Sequence, residues 1–143
     1  MMRKIHHVGI VVQDMEQAMS FWRDTLGLHV HKRERIDEQG VEAALLRLGD
    51  SEVELLEPVV EDNGVARYLQ SRGEGLHHVC FEVDSVDADL AALKSRDVEL
   101  IDQEPRIGLA GRICFLHPKA MHGALVELCE PIIETPPSEV AHA

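Results

Sequence analysis

The sequence is short of basic residues: 14 Lys and Arg stand against 26 Asp and Glu, a formal net charge of −12. That balance excludes a general nucleic-acid binder, which needs a clustered cationic face. It also disfavours adhesion to anionic membranes, although a local basic patch for a phosphorylated ligand stays compatible with it. Long hydrophobic runs are missing too, so no segment is expected to span a bilayer. The opening Met-Met-Arg-Lys-Ile-His-His is polar and reads directly into structure, without the apolar stretch of a signal peptide. Cysteine is scarce. Cys80, Cys114 and Cys129 form an odd set with no Cys-x-x-Cys spacing, each inside an apolar run. They are expected to be reduced core thiols of a cytoplasmic protein rather than a disulfide framework.

What is present is a repeat. Ile5-His6-His7-Val8-Gly9-Ile10-Val11-Val12-Gln13-Asp14 and Gly75-Leu76-His77-His78-Val79-Cys80-Phe81-Glu82-Val83-Asp84 share a His-His-Val opening, an apolar run and a closing Asp, 71 residues apart. A second signal, Val-Glu-Leu-x-Glu-Pro, occurs around Glu54 and again 73 residues later around Glu127. Recurrence at half the chain length implies two copies of one supersecondary unit, neither able to bury its apolar face alone. The 143 residues suit one domain with one continuous core.

Period-two alternation predicts a strand over 4–12, with Ile5, His7, Gly9 and Val11 on one face. Asp14 caps a helix that carries Met15, Ala18, Met19, Trp22 and Leu26 at helical spacing and closes at Gly27. Strands follow at 28–36, 41–48 and 52–56, the last two joined by a tight turn at Gly49-Asp50-Ser51. Residues 59–74 connect the halves, with a short helix stopped by Gly73. The second half repeats the plan: strand 76–83, helix 85–96, strand 98–103, a Pro/Gly-punctuated loop at 104–111, and strands 112–117 and 124–130. The fold class is therefore α+β, with two tandem βαβββ modules forming one curved, mostly antiparallel sheet. The modules span about 4–58 and 75–131 of a single domain over 1–131, and 132–143 is expected to be a flexible tail.

His7 and Glu54 open and close the sheet strands of the first module, and His78 and Glu127 hold the matching places in the second. Two His and two Glu on strands related by a pseudo-twofold make an N₂O₂ set. It suits Co²⁺, Mn²⁺, Ni²⁺ or Zn²⁺ with positions left open for water or substrate. Because strand neighbours point to opposite faces, His6 and His77 are expected to face outward. His29, His31 and His142 fit no constellation and are read as surface residues.

Six stretches carry a resemblance to the vicinal oxygen chelate superfamily (glyoxalase, bleomycin resistance and dioxygenase proteins), and within it to methylmalonyl-CoA epimerases. They are Ile5-His6-His7-Val8, Glu38-Gln39-Gly40-Val41, Val53-Glu54-Leu55-Leu56-Glu57-Pro58, Gly75-Leu76-His77-His78, Glu104-Pro105-Arg106-Ile107-Gly108 and Phe115-Leu116-His117-Pro118-Lys119. The resemblance covers nearly everything from Ile5 to Pro131. It implies His7, Glu54, His78 and Glu127 as ligands of a divalent metal, Co²⁺ foremost, and Glu127 as both ligand and catalytic base. It further implies R/S interconversion of 2-methylmalonyl-CoA through a metal-stabilised enolate, with an acyl-CoA as the small-molecule partner and a cytoplasmic homodimer as the working form. The family's other base, in some members, is a Glu three residues after the Gly of the Gln-Gly-Val segment. Here that position is Ala43, and the nearest carboxylate, Glu42, shares no face with the ligands unless a bulge near Gly40 turns it inward. Otherwise the second proton passes through another group or water. Arg106, the Gly108/Gly111 loop and Lys119 are candidates for contacts to phosphate or carboxylate. The same metal set also suits a glyoxalase I-type lactoylglutathione lyase, and the fold also serves metal-free, ligand-sequestering proteins.

Overall fold

The computed structural model describes residues 2–132, so the tail from 133 on, and His142 with it, lies outside the described residues. Module 1 runs β1 (Met2–Val11), α1 (Met15–Met19), β2 (His29–Ile36), β3 (Val41–Leu48) and β4 (Ser51–Pro58). After α2 (Gly64–Arg72), module 2 runs β5 (Gly75–Val83), α3 (Val86–Ser95), β6 (Arg106–Gly108), β7 (Gly111–Leu116) and β8 (Val126–Glu130). Among the described residues the eight strands make one sheet in the order β2-β3-β4-β1-β5-β8-β7-β6. The two modules are thus mirror-ordered halves joined through the antiparallel pair β1–β5. Only β1–β4 and β5–β8 run parallel. The sheet curls into a nearly closed cup. Its two edges approach at a seam where Gln39 Nε2 donates to Ile107 O (3.2 Å) and Lys32 Nζ to Leu109 O (3.5 Å).

Each helix starts at a short polar cap: Asp14 accepts from Gln17 N, Asn63 from Ala66 N and Ser85 from Ala88 N. Beyond Met19 the first helix widens into a π-helical turn over Ser20–Thr25, with Leu26 N bonded to Phe21 O, before Gly27 ends it at φ 82°. The outer helices bury the convex face. Met15 and Met19 pack on Ala44, Leu46, Val53 and Leu55, while Val86 and Leu90 pack on Cys114, Leu116, Val126 and Leu128. All three cysteines are buried with free thiols.

The second Glu of each Val-Glu-Leu-x-Glu-Pro segment has a structural task. Glu57 Oε1 accepts from Met15 N at the start of α1 (2.9 Å), and Glu130 Oε1 accepts from Val86 N at the start of α3 (3.1 Å). Each carboxylate satisfies an N–H that its helix leaves unpaired, and it sits at the positive end of the helix dipole. Glu57→Ala and Glu130→Ala are each expected to cost about 1 kcal/mol by urea unfolding. The costs should add in the double variant, because the two caps share no partner. A double variant as stable as the parent chain would show the caps to be idle.

Two expectations need correction. The strand expected at 98–103 is reduced to an isolated bridge between Leu100 and Leu116, and the edge strand is instead the short β6 inside the expected loop. Backbone pairing here is irregular: Ile101 N and Asp102 N both donate to Phe115 O, while Asp102 Oδ2 takes the N–H of Phe115 (2.7 Å). The other correction concerns β1. Register shifts between Ile5 and His7, and between Gly9 and Ile10, interrupt its pairing with β5. A bulge sets two residues of one strand against one of its partner and resets the alternation. Ile5 is consequently exposed, while His6 and His7 are both buried.

Candidate metal centre

The side chains of His7, Glu54, His78 and Glu127 meet on the concave face. Their ligand atoms all lie within 4.8 Å of one another, and all four residues are buried. Sheet register puts them there. Gly9 sits opposite both Glu54 and His78, while Glu127 pairs with Cys80, which in turn opposes His7. Because residues paired across strands share a face, the four converge from the central strands β4, β1, β5 and β8. Gly9 is required by this approach. A Cβ there would fall inside the envelope of the His78 imidazole ring.

The distances suit a shared cation. His7 Nε2 lies 2.9 Å from Glu127 Oε1, 3.1 Å from His78 Nε2 and 3.5 Å from Glu54 Oε1. His78 Nε2 lies 3.2 Å from Glu127 Oε1 and 3.4 Å from Glu54 Oε1. Donor atoms about 2.1 Å from one ion are about 3.0–3.4 Å from their neighbours around it, so the spacing fits. Glu127 Oε1 is fully buried and, although two imidazole nitrogens are close, none is aligned to hydrogen-bond to it. Four lone-pair donors aimed at one point, with an orphaned carboxylate oxygen among them, form a site that could hold a metal ion.

The charges agree with that reading. Burial opposes charge on every member, yet the charge of His7 and the hydrogen bonds of His7 and His78 hold the Glu54 carboxyl down at about 2. Burial likewise works against ionised Glu127, and the same two imidazoles outweigh it and hold that carboxyl well below the usual carboxylate range. Conversely, Glu54 and Glu127 overcome burial to raise His7 well above its ordinary value and His78 to about 9. Two buried carboxylates demand two positive charges close by. Imidazolium protons are one source of that charge, and a divalent ion would supply the same charge at the same place while displacing those protons.

His6 and His77, expected to face outward, are instead drawn in behind His7 and His78. His6 Nδ1 lies 2.8 Å from His7 Nδ1, and His77 Nδ1 lies 2.9 Å from His78 Nδ1. With Nδ1 of His7 and of His78 engaged, Nε2 is the nitrogen that faces the cluster, and the ring cannot swing. His77 is held low, at about 4, by burial and by His78. The repeated His-His doublet was the signal for this pairing, but period-two alternation hides it.

A cleft of about 500 Å³ opens over the cluster. Glu54 and Glu127 form part of its floor, with Arg106, Gly108 and Asn63 on its sides. Arg106 pairs with Asp102 (3.0 Å) and lies over the Phe115 ring (5.5 Å), its guanidinium fixed at the wall. Asn63 Nδ2 ties the start of α2 to the rim by donating to Gln39 O and Gly40 O. Of the other sequence candidates, Gly111 lines a smaller neighbouring cavity and Lys119 is exposed outside the lining. Glu42 faces away from the His/Glu cluster, held 2.6 Å from Arg33 Nε. Ala43 is wholly buried in an apolar cluster with Leu45, Leu56 and Leu109. No local pattern marks Leu109 as its cover. His29 and His31 are exposed, and His31 pairs with Glu52 (3.0 Å).

Gly9→Ala tests how tightly the ring of His78 is held. The variant is expected to fold and to bind Co²⁺ about 10- to 100-fold more weakly by calorimetry, the penalty typical of disturbing a ligand's support. Unchanged affinity would mean that His78 is no ligand.

The sequence pattern of the Glyoxalase/Bleomycin resistance/Dioxygenase superfamily matches residues 6–115. Mitochondrial methylmalonyl-CoA epimerase of Mus musculus is 39% identical over 127 residues, covering 87% of this chain and 71% of that protein. Ethylmalonyl-CoA/methylmalonyl-CoA epimerase of Cereibacter sphaeroides is 36% identical over 131 residues, covering 90% and 98%. Among solved structures, a variant of Streptomyces coelicolor methylmalonyl-CoA epimerase in complex with 2-nitronate-propionyl-CoA superposes with a TM-score of 0.88 at 40% identity, covering 93% of this chain and all of that one. Among the described residues, no helix is long and apolar enough to cross a membrane.

Proposed function

The chain belongs to the Glyoxalase/Bleomycin resistance/Dioxygenase superfamily and is an isomerase of the methylmalonyl-CoA epimerase-like kind; from that premise we propose that it interconverts the R and S forms of 2-methylmalonyl-CoA, with a divalent ion held by His7, Glu54, His78 and Glu127. The observation that carries this reading is the convergence of those four donors on the floor of one cleft. The reading takes Co²⁺ as the ion, with Mn²⁺, Ni²⁺ or Zn²⁺ compatible with the donors, and a cytoplasmic homodimer as the working form.

The α-hydrogen of the substrate lies between a thioester and a carboxylate, and its removal leaves a planar, anionic carbon. The bound ion would supply Lewis-acid stabilisation to that charge. The chain's own residues supply the rest. The Glu127 carboxylate, ionised and buried, takes the proton on its oxygen. Inversion needs a second acid/base on the other face, and Glu42 and Ala43 leave none on β3. Glu54 is the group that supports this role: it enters the cleft from module 1 as Glu127 does from module 2. Leu56 and Leu109 give the cleft an apolar wall, and Arg106 offers a fixed cation to a carboxylate or phosphate of the substrate. The Streptomyces coelicolor relative is in complex with 2-nitronate-propionyl-CoA, and a nitronate, like an enolate, has a planar carbon with its charge on oxygen.

Proton NMR of methylmalonyl-CoA in D₂O tests the reading. The α-hydrogen signal is expected to disappear with the protein present, to persist after chelation and to disappear again once Co²⁺ is restored. Signal loss no faster than the blank, with the ion confirmed bound, would overturn the substrate assignment and point to another isomerase substrate such as a hemithioacetal. No exchange and no bound ion would point to a ligand-sequestering protein.

A further inference from the structure

Directly beside the His/Glu cluster lies a second group of ligating side chains that the epimerase reading does not use. We propose that His6, Cys80 and Cys129 form a separate, thiophilic metal site, suited to a monovalent soft ion such as Cu(I). One ligand atom from each lies within 4.8 Å of the other two, and all three residues are buried.

The same features of the sheet that build the first site build this one. The bulge after Ile5 turns His6 inward beside His7. Cys80 follows His78 by two residues on β5, and Cys129 follows Glu127 by two on β8, so both thiols point to the concave side beneath those ligands. The strands are neighbours in parallel register, with Cys80 opposite Glu127 and Glu82 opposite Cys129. Ala110 and Ile113 complete an apolar surround.

The donor chemistry separates the two sites. The first offers imidazole and carboxylate, which suit divalent first-row ions; the second offers two sulfurs and one nitrogen and no carboxylate, which selects soft ions. Zinc in a structural site takes four ligands, and this group has three, a number Cu(I) accepts. Access exists as well. His6 and Ala110 also line a cavity of about 230 Å³ whose polar wall is formed by His31, Arg47 and Glu52. Binding converts the two thiols to thiolates and releases their protons to solvent. The 2.8 Å contact between His6 Nδ1 and His7 Nδ1 holds a single proton, so two neutral rings present one bare Nε2 at a time, and an ion here competes with one at the first site.

The experiment is anaerobic transfer of Cu(I) from its coloured bicinchoninate complex to the full chain. One Cu(I) per chain should leave the chelator. Cys80→Ser and Cys129→Ser should each abolish transfer, while Cys114→Ser should not. X-ray absorption of copper in the unaltered chain, which requires no variant to fold, should show two sulfur neighbours and one nitrogen. The proposal is overturned if no copper transfers or if copper sees no sulfur. Cu(I) uptake does not depend on turnover, so failure of the epimerase reading leaves this test intact.

Discussion

Glu127→Gln is expected to lower inversion of methylmalonyl-CoA by about 10³-fold, within the range of general acid–base catalysis and equal to about 4 kcal/mol in the barrier. The size follows from where the carboxylate sits. Glu127 is 4% exposed, and its Oε1 has no aligned hydrogen-bond donor. The two imidazoles beside it keep it ionised, so the group that faces the cleft is a carboxylate without a proton of its own. Glutamine keeps the shape and one ligating oxygen but cannot hold a transferred proton. Ion content measured on the same sample separates a lost base from a lost ligand. A variant that retains the ion and inverts substrate near the parental rate would remove Glu127 from the mechanism.

Much of this arrangement could be read from the sequence, because duplication makes weak signals additive. A single His on a strand is ordinarily structural, and a single Glu among apolar neighbours ordinarily solvated. His7 with Glu54, repeated as His78 with Glu127, is harder to explain without a shared charge at the centre, and the four do meet. The βαβββ modules followed from alternation and turn chemistry. Orientation at irregular points did not. The bulges in β1 that draw in His6 and expose Ile5 leave no residue-level signature, since a bulge is a property of the pair and not of one strand. The roles of Glu57 and Glu130 were equally hidden. The repeat marked both, but the N–H groups they satisfy lie 42 and 44 residues away in sequence. Leu109 closing over Ala43 is likewise a contact between modules that local pattern cannot encode.

Glu54→Gln is the second large effect, and its expected signature is exchange without inversion. A two-base epimerase removes the proton on one face and returns it on the other. With Glu42 bound outward to Arg33 and Ala43 covered, the carboxylates lining the cleft among the described residues are Glu38, Glu54 and Glu127. Glu38 is exposed at the rim, whereas Glu54 is 6% exposed in the cluster. If Glu54 serves the second face, its amide should cut inversion by about 10²- to 10³-fold. Glu127 should still wash deuterium into one enantiomer, which then keeps its configuration. Glu38→Gln should change neither rate. Separate assays of each enantiomer, by NMR for exchange and by chiral analysis for inversion, distinguish the outcomes. If exchange and inversion fall together to the blank while the ion remains bound, Glu54 is no independent base. If inversion survives, the second proton travels through Glu38 or water. On this reading the parental chain is expected to couple inversion to exchange for both enantiomers, through two glutamates contributed one by each module.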